Sequence, residues 1–290
     1  MKGIILAGGQ GTRLRPCTLA IGKQLLPVYD KPMIYYPLST LIHAGVTQIL
    51  IVTTPIEIDR FRTLLRSGEQ FGIKISYQVQ PNPGGIPQGI SLAAQFLDGE
   101  DFWFILGDNL FHGPDFGVNL KNIRSHGGAI AFAYRVSNPE DYGVVSFSDT
   151  DNSIQELIEK PSKFVSNWAI PGIYKFDNSA VERANSLKPS KRGELEILDL
   201  LSDYFKNNDL DIKKISRGNA WFDLGTPESL FKAASFVESL QSRQGLLIGS
   251  PEEAAYSAGI TSSDEFKRSL NAMGDCSYAA QVMKVAGEEH

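Results

Sequence analysis

The chain is poor in the residues that most metal and redox chemistry draws on. Its 290 residues include two cysteines and four histidines. Cys17 and Cys276 stand far apart and form no metal-type pair, so neither a disulfide framework nor a zinc site is indicated, and a reducing cytoplasm is the simplest compartment. His43, His112, His126 and His290 form no spaced cluster, and no Ser–His–Asp arrangement is visible. His43 falls in an apolar helical pattern, where a packed structural histidine is the ordinary reading. Long apolar runs are missing too: nothing approaches the roughly 18 residues of a membrane span. The first apolar run breaks into glycines after five residues, unlike a signal peptide or an anchor. Nor is there a charge excess. With 28 basic against 33 acidic residues, net −5, no global field favours a nucleic-acid backbone or an anionic membrane, so any phosphate must be held locally. Internal repeats and low-complexity stretches are absent.

What the sequence does have is a glycine-rich start. Gly3-Ile4-Ile5-Leu6-Ala7 reads as a strand that breaks into Gly8-Gly9-Gln10-Gly11-Thr12-Arg13-Leu14-Arg15-Pro16, with Lys23 beyond. Glycines at 8, 9 and 11 remove the β-carbons that would keep a polyphosphate from the backbone, so several N–H groups can face one concavity. Arg13 and Lys23 add positive charge. An ordinary tight turn with exposed basic residues is the alternative. Two familiar phosphate motifs are excluded by spacing. The dinucleotide fingerprint needs glycine where Leu14 stands, and the P-loop needs Gly-Lys-Ser/Thr where the chain reads Gly22-Lys23-Gln24.

A hydrophobic content of 42% fits a large globular α/β unit. Strands are expected at Gly3–Ala7, Gln48–Thr53, Ile73–Val79, Phe102–Leu106 and Ala129–Tyr134. Between them Met33–Ala44, Ile56–Leu65, Gly89–Leu97 and Phe116–Ser125 carry helical spacing. This alternation predicts a mostly parallel sheet covered on both faces, with ligands beyond the carboxyl ends of its strands. The rhythm then changes, with strands expected at Tyr142–Phe147, Ile154–Glu159, Ala169–Phe176 and Leu210–Ser216 and helices at Glu194–Phe205 and Pro227–Leu240, a mixed sheet suited to a second ligand. Residues 1–244 are expected as the main domain and 245–290 as an accessory helical segment.

Asp108 follows the strand Phe102–Leu106, and Asp223 lies in Trp221-Phe222-Asp223-Leu224-Gly225-Thr226. Either alone is equally a turn former or a helix cap. Together they suit Mg²⁺, which takes one or two carboxylates plus phosphate oxygens and water. The segment from Gln80 to Gly89 is too rich in proline and glycine to be regular, and the Gln80 amide can pair with the edge of a pyrimidine, though a polar surface loop reads the same way. Glu159-Lys160-Pro161 joins a carboxylate for sugar hydroxyls to an ammonium for phosphate; a solvated ion pair is the plain alternative. Tyr142-Gly143 and Arg192-Gly193-Glu194 can complete such a pocket.

These residues resemble the sugar-1-phosphate nucleotidyltransferase family. The resemblance rests on Leu6 to Leu14, on Lys23-Gln24-Leu25-Leu26-Pro27 with its continuation to Leu38, and on Leu106-Gly107-Asp108-Asn109. Further on it rests on Tyr142-Gly143-Val144-Val145, Glu159-Lys160-Pro161, Arg192 to Ile197 and Trp221 to Thr226. It implies a Rossmann-like α/β fold and condensation of dTTP with α-D-glucose 1-phosphate to dTDP-glucose and pyrophosphate, with Mg²⁺. The pathways implied are those to dTDP-L-rhamnose or other deoxysugars. The same resemblance makes residues 1–244 nucleotide-binding in their first half and sugar-phosphate-binding in their second. By position, Arg13 and Lys23 are the catalytic cations. Leu6, Gly8, Gly9, Gly11, Thr12, Gln24, Gln80, Gly85 and Asp108 are the nucleotide contacts. Tyr142, Gly143, Glu159, Lys160, Tyr174 and Arg192 form the sugar-phosphate pocket, and Asp108 and Asp223 hold the metal. A cytoplasmic homotetramer with feedback by a dTDP-sugar end product is implied as well. Pro171 stands where small hydroxyl residues are more usual and offers no backbone N–H, so the hexose stays open, as does dTTP against UTP. A glycosyltransferase would want a paired-aspartate motif where this chain has Asp108-Asn109; a non-catalytic nucleotide-sugar sensor would keep the pocket without turnover.

Overall fold

The computed structural model of the chain describes residues 1–114, 116–123, 127–190 and 193–288. Arg192, Ser125, His126 and His290 lie outside the described residues. The apolar runs become the buried middle of a mixed sheet. β1 (Lys2–Ala7) leads into three 3₁₀ turns at Thr12–Leu14, Cys17–Leu19 and Lys23–Leu25, then a small hairpin of β2 (Pro27–Val28) and β3 (Lys31–Pro32). There follow α1 (Tyr35–His43), β4 (Gln48–Thr53), α2 (Ile58–Leu65), β5 (Lys74–Val79), α3 (Ile86–Leu92), α4 (Ala94–Leu97) and β6 (Phe102–Leu106). β1 runs parallel between β4 and β6, with Ile5 opposite Ile51 and Ile105, and β5 extends this parallel block beside β4. Strands buried on both faces read as continuous apolar sequence, as in Phe102-Trp103-Phe104-Ile105.

Beyond β6 come β7 (Asn109–His112), α5 (Phe116–Lys121), β8 (Ala129–Arg135), β9 (Gly143–Phe147), β10 (Ile154–Glu159), β11 (Trp168–Ala169) and β12 (Ile173–Phe176). Then follow α6 (Ala180–Ser186), α7 (Ile197–Lys206), β13 (Leu210–Lys214), β14 (Ala220–Asp223), α8 (Pro227–Gln244), α9 (Pro251–Ser257), α10 (Ser263–Asn271) and α11 (Ser277–Glu288). Among the described residues the main sheet is ordered β10-β9-β11-β8-β12-β6-β1-β4-β5, with β13 pairing in parallel to β8. The joint between the halves is antiparallel, β12 on β6. Ile4 and Ile5 point to opposite faces, as alternate residues of a strand must. One face packs under α1, α2, α5 and α9, with Ile5, Leu41, Ile51, Trp103 and Ala254 in its core. The other packs under α3, α6 and α7, with Ile4, Phe104, Phe176, Leu201 and Tyr204.

Two expectations change. The segment Gln80–Gly89 is not irregular throughout, because α3 starts at Ile86 and carries Pro87 in its first turn, where a missing N–H costs nothing. The single strand expected at Ala169–Phe176 is split into β11 and β12 around Pro171. Proline breaks the ladder there, and Ile173 N–H instead donates back to Pro171 O at 2.8 Å.

α8 opens on a capping box between Thr226 and Ser229 and covers the hairpin, packing Val237 with Val28, Met33 and Leu224. A buried polar network closes this joint. Lys31 donates to Asp30 and, at 3.0 Å, to Gln241 Oε1; Gln241 Nε2 returns to Asp30 Oδ2 at 2.9 Å. The Lys31 ammonium also stands 5.3 Å from the Tyr36 ring centre and 5.7 Å from that of Tyr278. The Tyr278 hydroxyl donates to the buried Glu252. Burial pulls the Lys31 ammonium down and pushes the Glu252 carboxyl up, and the opposite charges offset part of both costs. Lys31→Ala leaves Asp30 and Gln241 without their buried partner, so a loss of about 3–5 kcal/mol in unfolding free energy is expected. Urea denaturation checks it, and hydrogen exchange in α8, α9 and α11 is expected to rise with it.

Candidate functional site

The parallel strands end in loops on one rim. On that rim the glycine loop leaves β1, and Asp108 leaves β6. Gly107 N–H donates to Leu6 O at 2.9 Å, which holds the two strand exits side by side. The glycine loop is closed by Thr18 Oγ1, which donates to Gly11 O at 2.7 Å. Thr12 and Arg13 lie in the 3₁₀ turn that follows, and Gly9 lies against the Lys23 side chain. Gln24 is buried over Gly107, with its carbonyl taken by Ile34 N–H at 2.8 Å. The Lys23 ammonium is thereby aimed inward, and it is ion-paired with the Asp108 carboxylate.

Asp223 reaches the same place by a route the sequence does not announce. β14 pairs antiparallel with β7, setting Asp223 opposite Asn109, and Leu224 N–H donates to Asp108 O at 2.9 Å. A buried carboxylate and a half-buried one are thus neighbours. Burial pushes Asp108 up, but the Lys23 charge and hydrogen bonds from Lys23 and Asn109 outweigh it and hold the group below the ordinary aspartate value. Asp223 is raised to about 6 by burial first and then by the Asp108 charge, against the opposing pull of Lys23, Arg13 and Lys160. A low and a raised carboxyl sharing one site is the electrostatic signature of a place that gains from a divalent cation. Among the described residues no larger cluster of His, Cys, Asp or Glu is found, so the donor set is two carboxylates, which fits a hard cation completing its shell with phosphate oxygens and water.

A cleft of about 580 Å³ opens beside this pair, walled by Arg13, Tyr142, Lys160, Trp221 and Asp223. The Tyr142 and Trp221 rings meet at 5.1 Å. Gly143 and Glu159 face each other across the β9–β10 ladder, and Lys160 N–H donates to Tyr142 O at 3.0 Å, so β9 and β10 carry these residues as a unit. Tyr174 is placed differently: its ring is buried against Phe104 and Phe176. Burial and then the Glu159 charge raise its phenol, which stays neutral beneath the pocket. On the other side of the glycine loop, Gln80 is 4% exposed and donates to Gln88 Oε1 at 2.6 Å. A β-carbon on Gly8 would stand 2.1 Å from Gln80 Oε1, so glycine lets that amide close on the loop. Gly85, at φ 97°, forms a parallel bridge with Leu195, and a β-carbon there would stand 2.0 Å from Leu195 O. The segment that follows Arg192 is thus tied to the Gln80 loop.

Of the residues singled out by sequence, Arg13, Tyr142, Lys160 and Asp223 line one cleft and the Lys23–Asp108 pair lies next to Asp223, while Gln80 and Gly85 lie on the other side of the glycine loop. Sequence reasoning missed three partners. Gln88 also accepts from Gly84 N–H at 2.9 Å, Trp221 walls the cleft, and Asn109 bonds Asp108, Gly172 and Trp221. The available signal was adjacency to residues already singled out, in Asp108-Asn109 and Trp221-Phe222-Asp223.

A family model described as "Nucleotidyl transferase" matches residues 2–239. A Mycolicibacterium smegmatis protein named glucose-1-phosphate thymidylyltransferase is 43% identical over 289 residues, with all of both chains covered. One of the same name from Neisseria meningitidis is 46% identical over 287 residues, covering 98% of this chain and 99% of its own. A solved Bacillus anthracis structure in complex with a sucrose superposes with a TM-score of 0.75 at 37% identity, over 81% of this chain and 94% of that one. A UDP-glucose pyrophosphorylase complexed with UDP-glucose gives 0.72 at 25% identity, over 82% and 98%.

The raised carboxyl sets a pH dependence. Below about pH 6 a proton competes with a cation at Asp223, so divalent-cation affinity is expected to fall by about tenfold per pH unit there and to level off about one unit above. Asp108, held low, adds no step in that window. Calorimetric titration of Mn²⁺ across this range, in buffers of differing ionisation enthalpy, reads both affinity and proton release; a flat profile contradicts the prediction.

Proposed function

The chain belongs to the nucleotidyl transferase family, and from that premise we propose that it transfers a thymidylyl group from dTTP to α-D-glucose 1-phosphate, giving dTDP-glucose and pyrophosphate. The observation that carries this reading is a cleft lined by Arg13, Lys160 and Asp223, with the Lys23–Asp108 ion pair close enough to Asp223 to act on it. Arg13 and Lys160 reach the cleft beside this carboxylate pair, so cations stand where an arriving polyphosphate meets them. The names of the full-length relatives supply the substrates.

In the proposed step a phosphate oxygen of the sugar phosphate forms a bond to the α-phosphorus of dTTP. The bond from that phosphorus to the bridging β-oxygen breaks, and pyrophosphate leaves with the electron pair. The nucleophile is already anionic, so no general base is required. Arg13 and Lys23 offset charge on the α-phosphate and the leaving group, while Lys160 and Arg192 offset repulsion between the two polyanions. Leu6, Gly8, Gly9, Gly11, Thr12 and Gln24 shape the triphosphate cradle. Gln80 and Gly85 take the base, and Tyr142, Gly143 and Glu159 take the sugar, with Tyr174 as a floor. Asp108 and Asp223 hold Mg²⁺, which when bound supplies further charge neutralisation on the phosphates. A cytoplasmic homotetramer serving dTDP-L-rhamnose or another deoxysugar pathway, with feedback by its dTDP-sugar product, belongs to the same proposal. No helix among the described residues is long and apolar enough to cross a membrane.

UTP is the rival nucleotide, favoured by the likeness to the UDP-glucose pyrophosphorylase. Pyrophosphate release with dTTP or UTP against glucose, glucosamine and galactose 1-phosphates is expected to be fastest for dTTP with glucose 1-phosphate. Binding without release in every pairing sinks the enzymic reading. Lys23→Ala is expected to lower turnover by ~10²–10³, with a much smaller change in thermal stability. An unchanged rate removes Lys23 from the mechanism.

A further inference from the structure

We infer that Asn109 is a positioning residue that joins the sugar side of the cleft to the metal carboxylate, an inference that rests on the proposed transfer reaction. Its side chain lies at the meeting point of three walls and is 2% exposed. Nδ2–H donates to Asp108 Oδ1 at 3.0 Å, while Oδ1 accepts from Gly172 N–H at 3.0 Å and from Trp221 Nε1–H at 2.7 Å. The two groups facing the oxygen are donors only and the carboxylate facing the nitrogen is an acceptor, so one orientation of the amide satisfies all three.

Each bond fixes a different part of the site. The first sets the rotation of Asp108. The second holds Gly172, beside Pro171, where the chain enters β12 and Leu106 N–H donates to Gly172 O at 2.9 Å. The third holds Trp221, whose ring meets Tyr142 in the cleft. Asp223 sits across the β7–β14 ladder from the same residue. No other side chain of this size supplies one N–H and accepts two without adding charge: aspartate would set a third negative group beside Asp108 and Asp223, and leucine would strand two buried N–H donors. A change at Trp221 is therefore transmitted to Asp108 through a single amide, and substrate seated against Trp221 and Tyr142 aims the carboxylate that faces the nucleotide.

Trp221→Phe keeps an aromatic ring beside Tyr142 and removes only the indole donor; Asn109→Ala removes the whole connection. Mn²⁺ is titrated into each nucleotide-free protein by water proton relaxation, the KM for glucose 1-phosphate is read from pyrophosphate release, and thermal midpoints are recorded alongside. Mn²⁺ affinity is expected to fall about threefold in Trp221→Phe and about tenfold or more in Asn109→Ala, with the KM rising in both. The double variant is expected to match Asn109→Ala, because both changes cut one path. A lowered thermal midpoint with Mn²⁺ affinity and KM unmoved, or additive losses in the double variant, overturns the inference. Unmoved Mn²⁺ affinity in Trp221→Phe overturns it even if Asn109→Ala does not fold. If the unaltered protein releases no pyrophosphate, the proposed reaction fails, and the Mn²⁺ series still decides the role of Asn109.

Discussion

Asp108 and Asp223 are pressed into one place at the foot of the cleft by the ladder between β7 and β14, and two carboxylates persist side by side there because cations meet them. The rest of the site is arranged around that constraint. Lys23 pairs with Asp108 and holds it ionised, while Arg13 and Lys160 act on Asp223 from the cleft side. The glycine loop lets Lys23 and Arg13 reach this point from the chain's first turns, since β1 sits between β4 and β6 and opens onto the same rim as Asp108. A carboxylate pair met by cations at a cleft suits anionic substrates that bind with a cation.

The two halves of the sheet divide the labour. The parallel block β5-β4-β1-β6 presents its carboxyl ends to the glycine-loop side of the site, where open α/β sheets take their ligands. The largely antiparallel block built on β8, β9 and β10 carries Tyr142, Glu159 and Lys160. β12, antiparallel to β6, joins them, and Gly172 at its start bonds Asn109. Behind the site, the Lys31 network ties the hairpin after Lys23 to α8 and brings Tyr278 of α11 against it, so helices late in the chain brace a segment close to Lys23.

Much of this is legible in the sequence. Local sequence carries strand type where a run is apolar on both faces, as in Ile4-Ile5 and Phe102 to Ile105, and it carries helix type where apolar spacing is three and four, as in α1, α2 and α7. Less legible was what proline does in context. Pro87 starts a helix in what reads as loop, and Pro171 divides what reads as one strand, because the outcome depends on whether the missing N–H was needed. Tyr174 reads as a pocket residue by resemblance and lies in the core, since strand alternation and the packing of Phe104 and Phe176 decide which way it points.

By itself the sequence determined the chemical parts: a glycine loop with two cations, aspartates beside turns, an amide before a proline-rich loop, and too few histidines and cysteines for other chemistry. These follow from residue type and spacing, which are local. The tertiary structure decided which parts meet. Asp223 joins Asp108 across a strand pair separated by more than a hundred positions, Gln88 takes one side of Gln80, and Asn109 binds three walls at once. Such meetings depend on ladder register and on burial, which raises one carboxyl and lowers its neighbour, and neither is written in the spacing of a single segment.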